Sequence, residues 1–161
     1  MSEKNKKPAI DAAADYLANR PRTVEEVRTK LKDKGYEQEE IESAIANLVE
    51  FKYLDDYSYC KMYFEYGYTR HRGGKRLIRE LVEKGVNEQQ AKTALEDYVY
   101  EMQVDEYKDA LEIARREAED KIIDEKLIAR IGRKLDSRGF KMDDIYKVMS
   151  EVRRWKDTEE Q

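Results

Sequence analysis

The sequence predicts an all-α protein, a tandem array of three three-helix repeats, and three observations carry that prediction. A phrase of apolar residues recurs along the chain. Val27, Leu31 and Gly35 are followed by Ile41, Ala44 and Ile45, and fifty residues later by Leu77, Leu81, Gly85, Ala91, Ala94 and Leu95. After a further fifty-four come Ile131, Leu135, Gly139, Ile145, Val148 and Met149. The register holds across one joint, where Leu54-Asp55-Asp56-Tyr57 matches Val104-Asp105-Glu106-Tyr107. Second, only Pro8 and Pro21 could break a helix, and both precede apolar-periodic segments, where a first-turn proline is tolerated. Third, 42% of the residues are charged, yet the 40% hydrophobic fraction is arranged with helical period rather than diluted. A repeat of this length means small helical units, each leaning on its neighbours.

Each element follows from local chemistry. The first helix runs from near Pro8 to Ala18 on Ile10, Ala13, Ala14 and Leu17, and Asn19-Arg20-Pro21-Arg22 breaks it. Thr23 and Glu26 have capping-box spacing and open a helix that Gly35 stops, because glycine enters the left-handed conformation without strain. A third helix spans about Gln38 to Phe51. Asp55 or Asp56 caps the next, a long helix through Met62 and Tyr66, broken at Arg70-His71-Arg72-Gly73-Gly74. Helices to Lys84 and from Asn87, whose spacing to Gln90 suits a capping box, to about Met102 complete the second unit. In the third, Asp105 or Glu106 caps a helix to about Lys121, Asp124 opens another, and the last ends near Trp155. Lys34, Lys84 and Arg138 precede the three stopping glycines, where a cation suits the helix dipole. The expected repeats are therefore 1–54, 55–104 and 105–155, with 156–161 a frayed tail.

Several function classes are excluded by what is missing. Met1 to Lys7 lacks the apolar stretch of a signal peptide, and no run approaches the roughly 18 apolar residues of a membrane span. Cys60 stands alone, so no internal disulfide forms, and a cytoplasmic monomer is expected. One histidine, His71, and one cysteine leave no zinc set and no nucleophile with its base. His71 lies between two arginines, as a solvated neighbour of a basic patch. Asp55-Asp56, repeated as Asp105-Glu106 at a helix start, reads as capping rather than acid–base chemistry. Gly73-Gly74-Lys75 lacks the flanking glycine, the hydroxyl and the preceding strand of a phosphate loop. No enzyme activity, metal or cofactor is expected.

Charge is more informative locally than in the net value of −4. Lys61, Arg70, Arg72, Lys75, Arg76 and Arg79 face one acid, Glu65, between positions 61 and 79. Lys126, Arg130, Arg133, Lys134, Arg138 and Lys141 face only Asp136 between 126 and 141, and Arg28, Lys30 and Lys32 lie beside Asp33. The middle helices and their entry loops are thus basic, while the other helices carry the compensating acids. The expected contacts to an anionic partner or nucleic acid are Arg28, Lys32, Arg70, Arg72, Lys75, Arg76, Arg79, Arg130, Arg133 and Lys134. The window from Arg70 to Arg79 holds five of these and no acid, so its cations repel one another unless solvated or opposite an anion. Tyr57, Tyr59, Tyr63, Phe64, Tyr66 and Tyr68 crowd one helix nearby; Phe64 and the tyrosines on its face belong to the core, while an exposed tyrosine suits an interface or an unpaired base.

These residues carry a family resemblance. Tyr16-Leu17-Ala18-Asn19-Arg20-Pro21-Arg22-Thr23, Val27, Leu31, Lys34-Gly35-Tyr36, Tyr53-Leu54-Asp55-Asp56, Lys75-Arg76-Leu77-Ile78-Arg79-Glu80-Leu81 and Lys84-Gly85-Val86 resemble, in order, the RecX family of recombinase regulators. The likeness covers nearly the whole chain, although Gly73-Gly74 stands where family members often have glycine-proline and Val27 replaces a common leucine. It implies an elongated, curved array that binds the groove of the RecA filament on single-stranded DNA and restrains its growth, ATP hydrolysis and strand exchange. It transfers no catalytic residue. The alternative is a direct DNA-binding protein, single- or double-stranded, because paired helices joined by a tight turn also resemble helix-turn-helix units.

Overall fold

A computed structural model describes residues 6–159. Among them are nine α-helices and no strand: α1 (Ala9–Asn19), α2 (Val24–Asp33), α3 (Gln38–Glu50), α4 (Asp56–Thr69), α5 (Gly74–Glu83), α6 (Glu88–Met102), α7 (Glu106–Ala118), α8 (Glu125–Ser137) and α9 (Met142–Glu159). The three glycine stops adopt the left-handed conformation, with φ of 88° at Gly35, 92° at Gly85 and 93° at Gly139. In each, the next residue donates its N–H back to the last buried leucine: Tyr36 to Leu31, Val86 to Leu81 and Phe140 to Leu135, at 3.0–3.2 Å. Those three following residues are themselves buried, so the same turn that ends a helix also anchors the chain leaving it.

Capping sets the helix starts. Thr23 and Glu26 form the reciprocal box, Asp105 accepts from the Lys108 N–H and Asp124 from the Leu127 N–H. Asp55 accepts from the Ser58 N–H at 3.2 Å, and Asn87 from the Gln90 N–H at 3.1 Å. Two boundaries differ from the sequence reading, for α7 already ends at Ala118 rather than near Lys121. α9 continues past Trp155 to Glu159, because Trp155 packs on the third-repeat core and the Thr158 hydroxyl donates to the Arg154 carbonyl. Of the expected tail, 160–161 lie outside the described residues, as do residues 1–5 of the segment read for a signal peptide.

The chain forms two compact units, Met1–Met62 with Leu81–Ala94 and Tyr63–Glu80 with Leu95–Gln161. The first has a core of Val27, Leu31, Ile41, Ala44, Ile45 and Leu48 beneath Ala9, Ala12 and Ala13. In the second, Leu127, Ile131, Leu135, Phe140, Ile145 and Val148 form one cluster with Ala110 and Ala114 of α7. Phe64 and Leu77 are fully buried, and Leu77 lies against Gly67, where a Cβ would come within 2.1 Å of its Cδ2. Full burial of each such leucine contributes about 1.5–3 kcal/mol.

Within each unit the start of a middle helix is seated on the end of the following repeat's middle helix. In the first unit the Val24 N–H donates to Asp56 Oδ1 at 2.9 Å, and the Thr23 hydroxyl donates to the Lys84 carbonyl at 2.7 Å. In the second the Gly74 N–H donates to Glu106 Oε1 at 2.6 Å, and the Gly73 N–H donates to the Arg138 carbonyl at 2.7 Å. These joints place α2 and α5, which carry Arg28, Lys32, Lys75, Arg76 and Arg79.

Candidate functional site

The candidate cations sort into paired and unpaired ones. In the first unit, Arg28 of α2 bonds Glu42 of α3 at 2.7 Å and also pairs with Glu25. The Glu42 hydrogen bond raises the Arg28 pKa further, while Arg28 holds the Glu42 carboxyl below the usual carboxylate range. Lys32, one turn on, is exposed and meets no acid among the described residues.

The second unit holds the rest, four of which converge on two acids. Glu80 takes Arg72 at 3.2 Å and Arg76 at 3.4 Å, and also accepts the Tyr63 hydroxyl at 3.0 Å. That corrects the expectation of an uncompensated window, because Glu80 lies one residue beyond Arg79 and one helical turn from Arg76. Arg70, Lys75 and Arg79 are exposed, and none of them forms an ion pair among the described residues. Arg70 lies 5.0 Å from the Tyr66 ring centre and Arg72 lies 5.7 Å from it. Tyr66 is 47% exposed, so it is the tyrosine of this helix that reaches the surface, whereas Phe64 and Tyr59 are buried. His71 is half-buried in the α4–α5 turn with φ of 59°.

On α8, Lys134 and Arg130 converge on Glu117 of α7 at 2.8 and 3.3 Å, and Lys121 joins them. The Lys134 hydrogen bond holds the Glu117 carboxyl below the usual carboxylate range. Arg133 is exposed and unpaired among the described residues. It lines, with Lys121, Lys126 and Arg130, an open concavity of about 680 Å³ at the start of α8, beside Asp124, Glu125 and the 85% exposed Ile122. Five of the ten expected contacts are therefore held in ion pairs, and five, namely Lys32, Arg70, Lys75, Arg79 and Arg133, form none among the described residues. Sequence reasoning missed the acids that make this distinction. Glu80 was readable from its spacing to Arg76; Glu42 and Glu117 come from other helices and leave no local signal.

Among the described residues no three His, Cys, Asp or Glu side chains converge as a metal site. Burial pushes the Cys60 thiol up to about 12, so the thiolate nucleophile is scarce at neutral pH. No helix among the described residues is long and apolar enough to cross a membrane.

Residues 9–48 match the family model described as RecX, first three-helix domain. A regulatory protein RecX of Vibrio parahaemolyticus is 32% identical over 158 residues, which cover 93% of this chain and 97% of that one. The chain belongs to the RecX family. Regulatory protein RecX of Halalkalibacterium halodurans is 38% identical over 104 residues, but the match spans only 39% of that relative, and the figure for the Lactobacillus johnsonii relative is 36%. The fold is that of the crystal structure of RecX from Lactobacillus salivarius, with a TM-score of 0.79 at 24% identity over 89% of this chain and 94% of that one.

Proposed function

We propose that this RecX-family chain is a regulatory protein that binds the RecA recombinase filament on single-stranded DNA and inhibits its ATPase, extension and strand exchange. It acts in the cytoplasm as a monomer, without catalytic residues or cofactor. The observation that carries the reading is the end-to-end similarity to a protein named as a regulator, over 97% of that relative's length. The chemistry supports it: Arg70, Lys75 and Arg79 project from one helix and its preceding turn with no ion pair among the described residues, a set suited to phosphates or acidic side chains.

The test is recombinase ATPase on single-stranded DNA, with binding followed in parallel on bare and recombinase-coated DNA across salt. The reading expects inhibition and preferential binding to coated DNA. Equal affinity for bare DNA, falling steeply with salt, would instead favour a direct DNA-binding protein, because phosphate-dominated affinity has that dependence.

A further inference from the structure

The two repeat joints use equivalent acceptors at the same register, the Thr23 hydroxyl of one being replaced by the Gly73 backbone N–H in the other. Thr23 and Gly73, Val24 and Gly74, and Asp56 and Glu106 are fifty residues apart, while Lys84-Gly85 and Arg138-Gly139 are fifty-four apart. In each joint a half-buried carboxylate at the start of one repeat's first helix accepts the first N–H of the preceding repeat's middle helix. The residue ahead of that middle helix donates to a carbonyl at the C-terminal end of the next one. Both bonds satisfy groups that a helix terminus otherwise leaves orphaned, and the carboxylate also complements the N-terminal end of the dipole.

Two neighbouring acids have separate tasks. Asp55 and Asp105 are exposed and cap their own helices, whereas Asp56 and Glu106 reach across to another repeat. The fit is close. A Cβ on Gly73 would lie 2.5 Å from the Gly139 carbonyl carbon, one on Gly74 2.8 Å from Leu95 Cδ2, and one on Gly139 2.3 Å from Arg76 Cβ. Glycine at these positions lets α5 sit directly on the end of α8. The helices so joined, α2 to the end of α5 and α5 to the end of α8, carry eight of the ten candidate cations.

We propose that Asp56 and Glu106 are positioning residues of the partner-binding surface, each holding one cation-bearing middle helix on the end of the next while touching no partner itself. The inference rests on the proposed function, in which those helices meet the filament. It makes a prediction whose sign differs from that of simple electrostatics. Deleting an acid from a face that meets a nucleoprotein should tighten binding by reducing repulsion. Loss of a positioning acceptor should weaken it.

The experiment compares E106A and E106Q in inhibition of recombinase ATPase, alongside amide exchange at residues 74–76 and circular dichroism. Glutamine keeps an oxygen that can accept the Gly74 N–H. The expected result is that E106A stays helical, exchanges the Gly74 amide faster, and needs at least about tenfold more protein for half-inhibition, while E106Q stays within about twofold of the parent. The salt dependence of binding should not change, since no cation has been removed. A folded E106A that inhibits as well as or better than the parent overturns the proposal, as does an E106Q as defective as E106A. If alanine at 106 abolishes folding, D56A and D56N at the other joint decide by the same pair of results. A parent protein that fails to inhibit at all would sink the functional reading instead, and the exchange measurement would still report on the joint.

Discussion

Gly73, Glu106 and Cys60 each do something that their residue type alone does not announce. Gly73 has no positive φ to explain it; it is required because the end of α8 lies against its Cα. G73A should therefore cost about 1–3 kcal/mol by overpacking, read as a fall in denaturation midpoint without loss of helix content. For Glu106, burial is the largest influence and raises its pKa above 4.5, against the Gly74 N–H and Lys141, with Asp144 and Asp109 adding to the rise. A carboxyl raised in the folded state binds its proton more tightly there than when unfolded. Its contribution to stability is thus complete below about 4.5 and lost as pH rises through the folded value. The stability of the parent relative to E106Q should fall over that interval, measured by thermal melts at matched ionic strength; a flat difference would contradict the account. Cys60, fully buried, should resist thiol reagents in the native protein and react on unfolding.

At the scale of the element, capping and stopping are separate devices. The stops at Gly35, Gly85 and Gly139 and the Thr23–Glu26 box were legible in the sequence because they depend on residues within one turn. The joints were not. Asp55-Asp56 and Asp105-Glu106 looked like interchangeable caps, and nothing local separates the acid that serves its own helix from the one that serves another repeat. Thr23 shows why both devices matter: its oxygen accepts from Glu26 N–H while its proton goes to the Lys84 carbonyl, and it is fully buried. T23A should cost about 1–2 kcal/mol, T23S much less, by chemical denaturation. Equal losses in the two variants would mean that the methyl group, rather than the hydroxyl, matters. The extension of α9 to Glu159 escaped the sequence reading for a related reason, since Trp155 is held by contacts from other helices, with the Arg115 guanidinium 5.9 Å from its ring.

For the whole molecule, the all-helical repeat fold and the RecX resemblance were readable because both are periodic or ordered along the chain. The availability of each cation was not, because pairing is settled by acids arriving from elsewhere: Glu42 from α3 and Glu117 from α7. A net charge of −4, with Arg70, Lys75 and Arg79 in no ion pair among the described residues, describes a surface that is acidic on average and basic in places. Specific contact to a filament needs only the basic places. The most direct measurement of the central claim is equilibrium binding to recombinase-coated single-stranded DNA, comparing the parent with the triple variant R70A, K75A and R79A. Lost phosphate or carboxylate contacts should weaken binding at least about tenfold and flatten its salt dependence, with the melting temperature nearly unchanged. A folded triple variant that binds as tightly as the parent, with the same salt dependence, would contradict the account.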